Sequence, residues 1–275
     1  MTGKWGVKNQ YVELYVDGVY QGVYVFMDKI TQNEKRVNVS WEVDGSSKGF
    51  IVKFDKTDLA DRYEIPNGDQ KTFESAMKTG NTGVISYGTE IDQRFEIEYP
   101  EKDDFPTGWS AKVNQIKGMF EAFENALAQG DFATVQKYID YTSWADWFII
   151  NEFTKNVDAY RASCIFVYTG EAGAKIEARP LWDQELSFNN QASKGTSDKG
   201  SDSTTGLLIQ NSNVYSDDFK APFWFTGDGS DITGGLLSDP CFVQVVKERW
   251  NTHQFGALSK KSLEDLVDEY EDDLA

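Results

Sequence analysis

The sequence predicts an α+β fold, with strands first, helices next and a second pair of strands after the helices. Three observations support this prediction. Alternating, β-rich runs dominate residues 1–58. Apolar residues spaced by three and four, as on one face of a helix, follow from about residue 110. Two extended runs around a glycine-containing turn then predict a hairpin within residues 164–181.

The composition is that of a globular chain. Its 275 residues are 40% hydrophobic and 14% aromatic, which is enough for one large domain or two modest ones. No run approaches the roughly 18 apolar residues of a membrane helix, and no signal peptide is recognisable at Met1. The two cysteines, Cys164 and Cys241, are too few for a disulfide framework or a zinc site, and Cys164 is expected in the core.

The net charge of −18 argues against a nucleic acid as partner, because a phosphate backbone binds basic surfaces. The charge favours a basic protein substrate. Solubility alone would also explain it, so both explanations stay open.

The first strands are predicted at residues 11–16, 20–27 and 49–55, joined in one small sheet. Asp17 and Gly18 are a strong signal for a two-residue hairpin turn between the first two. Residues 59–98 contain scattered Gly, Asn, Asp and Thr, which predicts an excursion of short strands and turns.

Helices are predicted from about residue 110, with Ser110 as N-cap and Gly130 as stop. The apolar stripe of the first helix consists of Val113, Ile116, Phe120, Phe123 and Leu127. A short helix over 131–139 follows, and then a helix over 143–154 that is apolar around most of its girth. That helix should be buried, and its end delivers residues 155–158 to the hairpin. The tail over 262–275 is predicted as an acidic amphipathic helix.

The predicted hairpin has a carboxylate at each end. Asp158 precedes the first run, 164–168, and Asp183 follows the second, 175–181. Because a hairpin returns its second end close to its first, we expect Asp158 and Asp183 to lie near each other. One carboxylate could then accept a proton while the other holds a metal ion.

The same segments carry a family resemblance. The chain reads Asn-Val-Asp-Ala-Tyr-Arg over 156–161, Pro-Leu-Trp-Asp over 180–183 and Leu-Ser-Phe over 186–188. It resembles the spore-coat-protein-H (CotH) kinase-like family over nearly all of its length. The resemblance implies an atypical protein-kinase-like fold, with a partial small antiparallel β lobe and a mainly helical lobe containing an active-site hairpin. The implied division is a partial small β lobe at 1–58, an insertion or connecting segment at 59–105 and a helical catalytic-type lobe at 106–275, with the N-terminal part of the family domain missing.

The resemblance also implies an activity, the transfer of phosphate from ATP to Ser or Thr of a protein substrate with Mg²⁺. In that case Asp158 is the catalytic base and Asp183 a metal ligand. Arg161 would neutralise the transferred phosphate or orient Asp158. Ser163, where kinases carry Asn, and Glu185, where the family usually has Asp, would be further metal ligands.

The resemblance leaves the nucleotide-binding residue unknown. Lys29 and Lys53 are the cations of the small sheet; each either contacts the nucleotide or is an ordinary solvated lysine of a strand. The polar stretch 190–216 is either the docking segment for the protein substrate or an ordinary long loop. A basic, Ser-rich protein is one candidate substrate. The implied location is extracellular, or a bacterial spore or cell surface.

Two other classes of function stay open. A kinase-like module with impaired catalysis could serve a surface or extracellular assembly by binding alone. A carbohydrate-binding or carbohydrate-active protein would use the 8 Trp and 13 Tyr for stacking, although Trp144 and Trp147 are expected in the core. A serine hydrolase is disfavoured, because His253 is the sole histidine and no nucleophile elbow is present. No P-loop motif occurs either.

Overall fold

The structure is a computed structural model that describes residues 4–40, 48–58, 71–77, 83–84, 90–105, 107–160, 162–190, 204–210, 224–227 and 235–274. It contains both helices and antiparallel sheets, so the predicted α+β class is confirmed. Among the described residues, no helix is both long enough and apolar enough to cross a membrane.

A separate two-stranded sheet forms near the start of the chain. Strands β1 (Asn9–Val16) and β2 (Val19–Met27) pair antiparallel, as predicted. Asp17 and Gly18 have φ of 51° and 78°, the left-handed backbone that a tight hairpin turn requires. Most side chains of this hairpin remain exposed, up to 72% at Phe26.

A second sheet has six strands in the order β4–β6–β3–β7–β8, with β5 paired to β6. Its strands are β3 (Phe50–Asp58), β4 (Thr72–Phe73), β5 (Gly83–Val84), β6 (Glu90–Tyr99), β7 (Cys164–Tyr168) and β8 (Glu177–Ala178). The prediction that β3 joins β1 and β2 in one small sheet was therefore wrong. Phe50, Val52 and Phe54 are buried in one cluster and Ile51 in another. A strand with apolar residues on both faces belongs in the centre of a sheet.

Five helices accompany the sheets in the described parts of the chain. They are α1 (Trp109–Ala128), α2 (Phe132–Tyr138), α3 (Tyr141–Thr154), α4 (Pro240–Gln254) and α5 (Lys260–Leu274). The predicted end of α1 is confirmed, since Gly130 follows it with φ of 69°. The predicted N-cap was wrong: Gly108, with φ of 91°, holds that position, and Ser110 lies inside the helix.

Aspartate caps start the next two helices. Asp131 accepts a hydrogen bond from Thr134 N (3.1 Å) ahead of α2, and Asp140 accepts one from Ser143 N (2.7 Å) ahead of α3. Helix α3 therefore begins two residues before the predicted Ser143. As expected it is buried, and Lys155, with φ of 54°, ends it and sends the chain into the hairpin.

The main core lies between one face of the six-stranded sheet and helices α1 and α3. Its centre is a cluster of aromatic rings in contact with one another, Phe95, Phe120, Trp144, Phe166 and Trp224. Trp144 and Trp147 are 1% and 5% exposed, so their predicted place in the core is confirmed. Cys164 is fully buried as well.

A smaller cluster covers the opposite face of the sheet. Ile51, Ile165 and Val167 are buried there, and Trp182 packs against them. This contact holds the chain that leaves β8 against the sheet and so fixes where Asp183 lies.

The predicted ranges 1–58, 59–105 and 106–275 each supply a strand to the six-stranded sheet, namely β3, β6 and β7. Their division into lobes stays a prediction. Residues 59–70, 78–82 and 85–89 of the predicted excursion lie outside the described residues, as do 191–203 and 211–216 of the predicted polar loop.

Candidate active site

The predicted hairpin is present, and the expected approach of Asp158 to Asp183 stays a prediction. Strands β7 and β8 pair antiparallel, with Phe166 opposite Ala178. Its two ends meet where the Ser163 hydroxyl donates a hydrogen bond to Asp183 Oδ2 over 3.0 Å. The structure thus brings together two of the residues predicted to hold a metal ion.

Asp158 lies in the loop between α3 and β7 and is 7% exposed. Its backbone N–H donates to Asn156 Oδ1 (3.2 Å), and its carbonyl accepts from Ala162 N (3.1 Å). Burial raises the pKa of the Cys164 thiol, and the charges of Asp55 and Asp158 raise it further. Both carboxylates therefore lie close to the start of β7.

The backbone of this region is strained. All but one of the non-glycine residues with a left-handed backbone in the described chain lie within 155–189, the exception being Asp17. They are Lys155, Tyr160, Ser163, Asp183, Phe188 and Asn189. Such conformations cost free energy and collect at functional sites, where packing holds them in place.

Asp55 is a site residue that the sequence analysis missed. It lies on β3, and its Oδ1 accepts a hydrogen bond from Ser163 N over 3.4 Å. Phe54 pairs with Cys164 across the two strands, which places Asp55 beside Ser163. The alternation of Lys53, Phe54 and Asp55 indicated a polar face, but nothing in the sequence indicated which strand lies next to it.

The residues after Asp183 contact the end of α3. The side-chain amide nitrogen of Gln184 lies 3.4 Å from Asn151 Oδ1, and Phe188 N donates to Thr154 O (2.7 Å). Glu185 is exposed, and its carbonyl accepts from Asn190 Nδ2 (2.7 Å). Its role as a metal ligand stays a prediction. Arg161 lies outside the described residues.

Glu152, also missed, is a buried carboxylate at the end of α3. Its Oε1 accepts from Tyr160 Oη (2.9 Å) and Ile209 N (3.0 Å), and Leu208 N donates to Oε2. Burial raises the pKa of Glu152. The available signal was an acidic residue, one of two with Asp146, in a largely apolar helix. Glu152 ties the Asp158 loop to residues 208–209.

Lys53 forms ion pairs with two glutamates of the neighbouring strand β6. Its Nζ lies 3.0 Å from Glu96 and 2.9 Å from Glu98. Burial lowers the pKa of Lys53, but the hydrogen bonds to Glu98 and Glu96 outweigh burial and raise it. Lys29 is exposed beyond the end of β2.

A cleft of ≈ 390 Å³ borders Asp183 and Gln184, with Trp5, Asp146 and Arg179 among its other walls. Within the described residues, no group of three or more His, Cys, Asp or Glu side chains could hold a metal ion by itself. A metal at Asp183 would therefore need oxygen ligands from a bound substrate or from water.

Comparison with protein families gives one result that covers almost the whole chain. The family model described as CotH kinase protein matches residues 3–275. Neither curated proteins nor solved structures gave a match. The hairpin closed by Ser163 and Asp183, the α+β architecture and this match agree, and the chain belongs to the CotH kinase protein family.

Proposed function

We propose that the chain is an ATP-dependent protein kinase that transfers a phosphoryl group to Ser or Thr of a protein substrate with Mg²⁺. Membership of a kinase family supports a kinase-like function, with ATP and metal use in general. The observation that carries the finer proposal is the 3.0 Å hydrogen bond from Ser163 to Asp183, which joins the two ends of the hairpin.

The donor atoms at this point suit Mg²⁺. Asp183 and Glu185 offer carboxylate oxygens, and the Ser163 hydroxyl oxygen keeps a lone pair while it donates to Asp183. Mg²⁺ is usually bound through one or two carboxylates together with substrate phosphates and waters, which fits a site with too few protein ligands for a metal alone. When bound, the ion would neutralise charge on the phosphates.

The protein residues then have separate tasks. Asp158 accepts the proton of the substrate hydroxyl. As it does so, the oxygen of that hydroxyl forms a bond to the γ-phosphorus of ATP, and ADP leaves with the bridging oxygen. Asp183, with Ser163 and Glu185, holds the metal. Arg161 would stabilise charge on the phosphoryl group. Asp55 accepts a hydrogen bond from the Ser163 backbone N–H and so keeps the Ser163 hydroxyl in place.

The proposed partner is a protein, and the net charge of −18 is complementary to a basic, Ser-rich one. The family name points to spore coats, and we extend the proposal to a spore surface, cell surface or extracellular location.

A second candidate function is an interaction module that keeps the fold without phosphoryl transfer. The exposed apolar side chains of β1 and β2 favour it, with Val19 at 61% and Phe26 at 72%. This function predicts no Mg²⁺-dependent binding of ATP.

Phosphate transfer from labelled ATP to Ser-centred peptides and basic proteins tests the proposal. We expect Asp158→Asn to lower the rate by about 10²–10⁴, because a positioned base contributes that much. Binding of Mg²⁺–ATP should persist, and the exposed Asp103→Asn should behave as the unmodified chain. Equal rates in Asp158→Asn and the unmodified chain would remove Asp158 from the mechanism, and no transfer to any acceptor would contradict the activity.

A further inference from the structure

An apolar cavity of ≈ 740 Å³ opens at the end of α3, next to the loop with Asp158. Six of its apolar lining residues serve to define it, and two each come from α3, from α4 and from the chain after Asp183. These six residues, which define the Phe188 pocket, are Phe148, Phe153, Phe188, Leu207, Val246 and Trp250. The volume is in the range of roughly 300–1,000 Å³ typical of ligand sites.

Three walls of the Phe188 pocket remain in contact with solvent. Phe188 is 69% exposed, Leu207 39% and Trp250 38%. The Phe153 ring lies between two of them, with its centroid 6.3 Å from that of Phe188 and 6.4 Å from that of Trp250. Exposed apolar side chains that surround a cavity indicate a surface that binds apolar groups.

The pocket is lined by residues that lie close in the chain to Asp158 and to Asp183. Lys155, three residues before Asp158, lines it, and its Nζ donates to Gly206 O over 2.6 Å. Phe188 follows Asp183 by five residues. A side chain in the pocket would therefore contact the segments that lead to the proposed base and the proposed metal ligand.

Charge beside the pocket indicates what else the occupant carries. Phe153 also lines a shallow groove against α5, whose other walls include the apolar Leu263 and Val267, the acidic Glu264 and Asp268, and Lys260. Over the described side chains of α5 the carboxylates outnumber the lysines; they are Glu264, Asp265, Asp268, Glu269, Glu271 and Asp272 against Lys260 and Lys261. A basic group next to an apolar one is complementary to this surface.

We propose that the Phe188 pocket binds an aromatic or branched aliphatic side chain of the protein substrate, with a basic residue of the same segment on the α5 side. The inference rests on the proposed function, since it assigns the pocket to the substrate of that reaction. It makes Phe188 and Trp250 determinants of specificity rather than catalytic residues.

Labelled Ser-centred peptides, in which one flanking position is Phe, Leu, Lys, Glu or Gly, test the inference by fluorescence anisotropy without ATP. We expect a Phe or Leu peptide to bind about tenfold or more tightly than the Gly peptide, the range for filling an apolar pocket. Phe188→Ala and, independently, Trp250→Ala should remove this preference. Phe255→Ala is the matched control, because Phe255 is 82% exposed and lies outside the pocket.

The outcomes separate the pocket from the reaction. A preference that Phe188→Ala and Trp250→Ala abolish supports the pocket even when no phosphate is transferred, and then only the kinase activity fails. Phosphate transfer without any preference for apolar residues overturns the pocket alone. Equal losses in Phe255→Ala, or no peptide binding, overturn the pocket as well.

Discussion

Glu124 is a buried carboxylate that joins three separate parts of the chain. It lies on α1 and is fully buried, and it accepts hydrogen bonds from Ser75 Oγ, Ala76 N (2.6 Å) and Trp224 Nε1 (2.8 Å). Burial raises the pKa of Glu124 above its ordinary value of 4.5. The folded state therefore holds the proton to a higher pH than the unfolded chain does.

Because the pKa of Glu124 is raised in the folded state, the stability of the fold depends on pH. The stability that protonated Glu124 contributes is full below about pH 4.5, the unfolded value, and is lost as pH rises through the raised folded value. We expect thermal melts of the unmodified chain to show a loss of stability as the pH is raised through this range. The same rise in pH should lower the stability of Glu124→Gln by less. Glu121→Gln, on the same helix but half-exposed, is the control. An identical pH profile for Glu124→Gln and the unmodified chain would contradict the assignment.

The sequence predicted some site residues and missed others, for a physical reason. Asp158, Ser163 and Asp183 lie on one continuous stretch, and the hairpin within it determines which of them approach one another. Asp55 is more than a hundred residues earlier in the chain, and its contact with Ser163 depends on the pairing of β3 with β7. The local sequence pattern of either strand does not predict such non-local pairing.

Helix α1 offers a matched pair of glycines. Gly118 lies within the helix, and Gly130 follows its end with φ of 69°; an added Cβ meets nothing within 4 Å at either position. We expect Gly118→Ala to stabilise the fold by about 0.5–1 kcal/mol, because alanine loses less backbone entropy. Gly130→Ala should destabilise it by about 1 kcal/mol, because alanine is strained at positive φ. Chemical denaturation of both variants measures the two signs, and equal signs would contradict the backbone assignment.

Helices and hairpins were the most predictable elements, because their signals are local. Apolar spacing located α1, apolar residues around most of the helix located α3, and the turn residues Asp17 and Gly18 located β1 and β2. The start of α1 was missed because Gly108 turns the chain into the helix without a side-chain cap. A serine near a helix start predicts an N-cap only when its backbone is outside the helix.

The whole molecule is organised around β3, which pairs with β6 and β7. Val52 on this strand is fully buried, whereas Val25 on β2 is 52% exposed. We expect Val52→Ala to lower the free energy of unfolding by about 2 kcal/mol or more, since it leaves a cavity in the core. Val25→Ala should change it by less than about 0.5 kcal/mol. Comparable losses in the two denaturation curves would contradict the central place of β3.

The overall sheet was the least predictable feature. The sequence predicted each of β1, β2, β3, β7 and β8, but grouped β3 with the strands nearest to it in the chain. The observed sheet instead joins β3 to strands from the middle of the chain, where both of its apolar faces are covered. Burial over the whole molecule decided the pairing, and no single segment contains that information.

Calorimetric titration of ATP, with and without Mg²⁺, tests the central claim that Asp183 holds a metal–nucleotide complex. The account predicts Mg²⁺-dependent binding to the unmodified chain and to Asp103→Asn, and a loss of affinity of about tenfold or more in Asp183→Asn, because a carboxylate ligand of Mg²⁺ is removed. An ATP affinity that changes neither with Mg²⁺ nor in Asp183→Asn would contradict the claim, as would no binding of ATP to the folded chain.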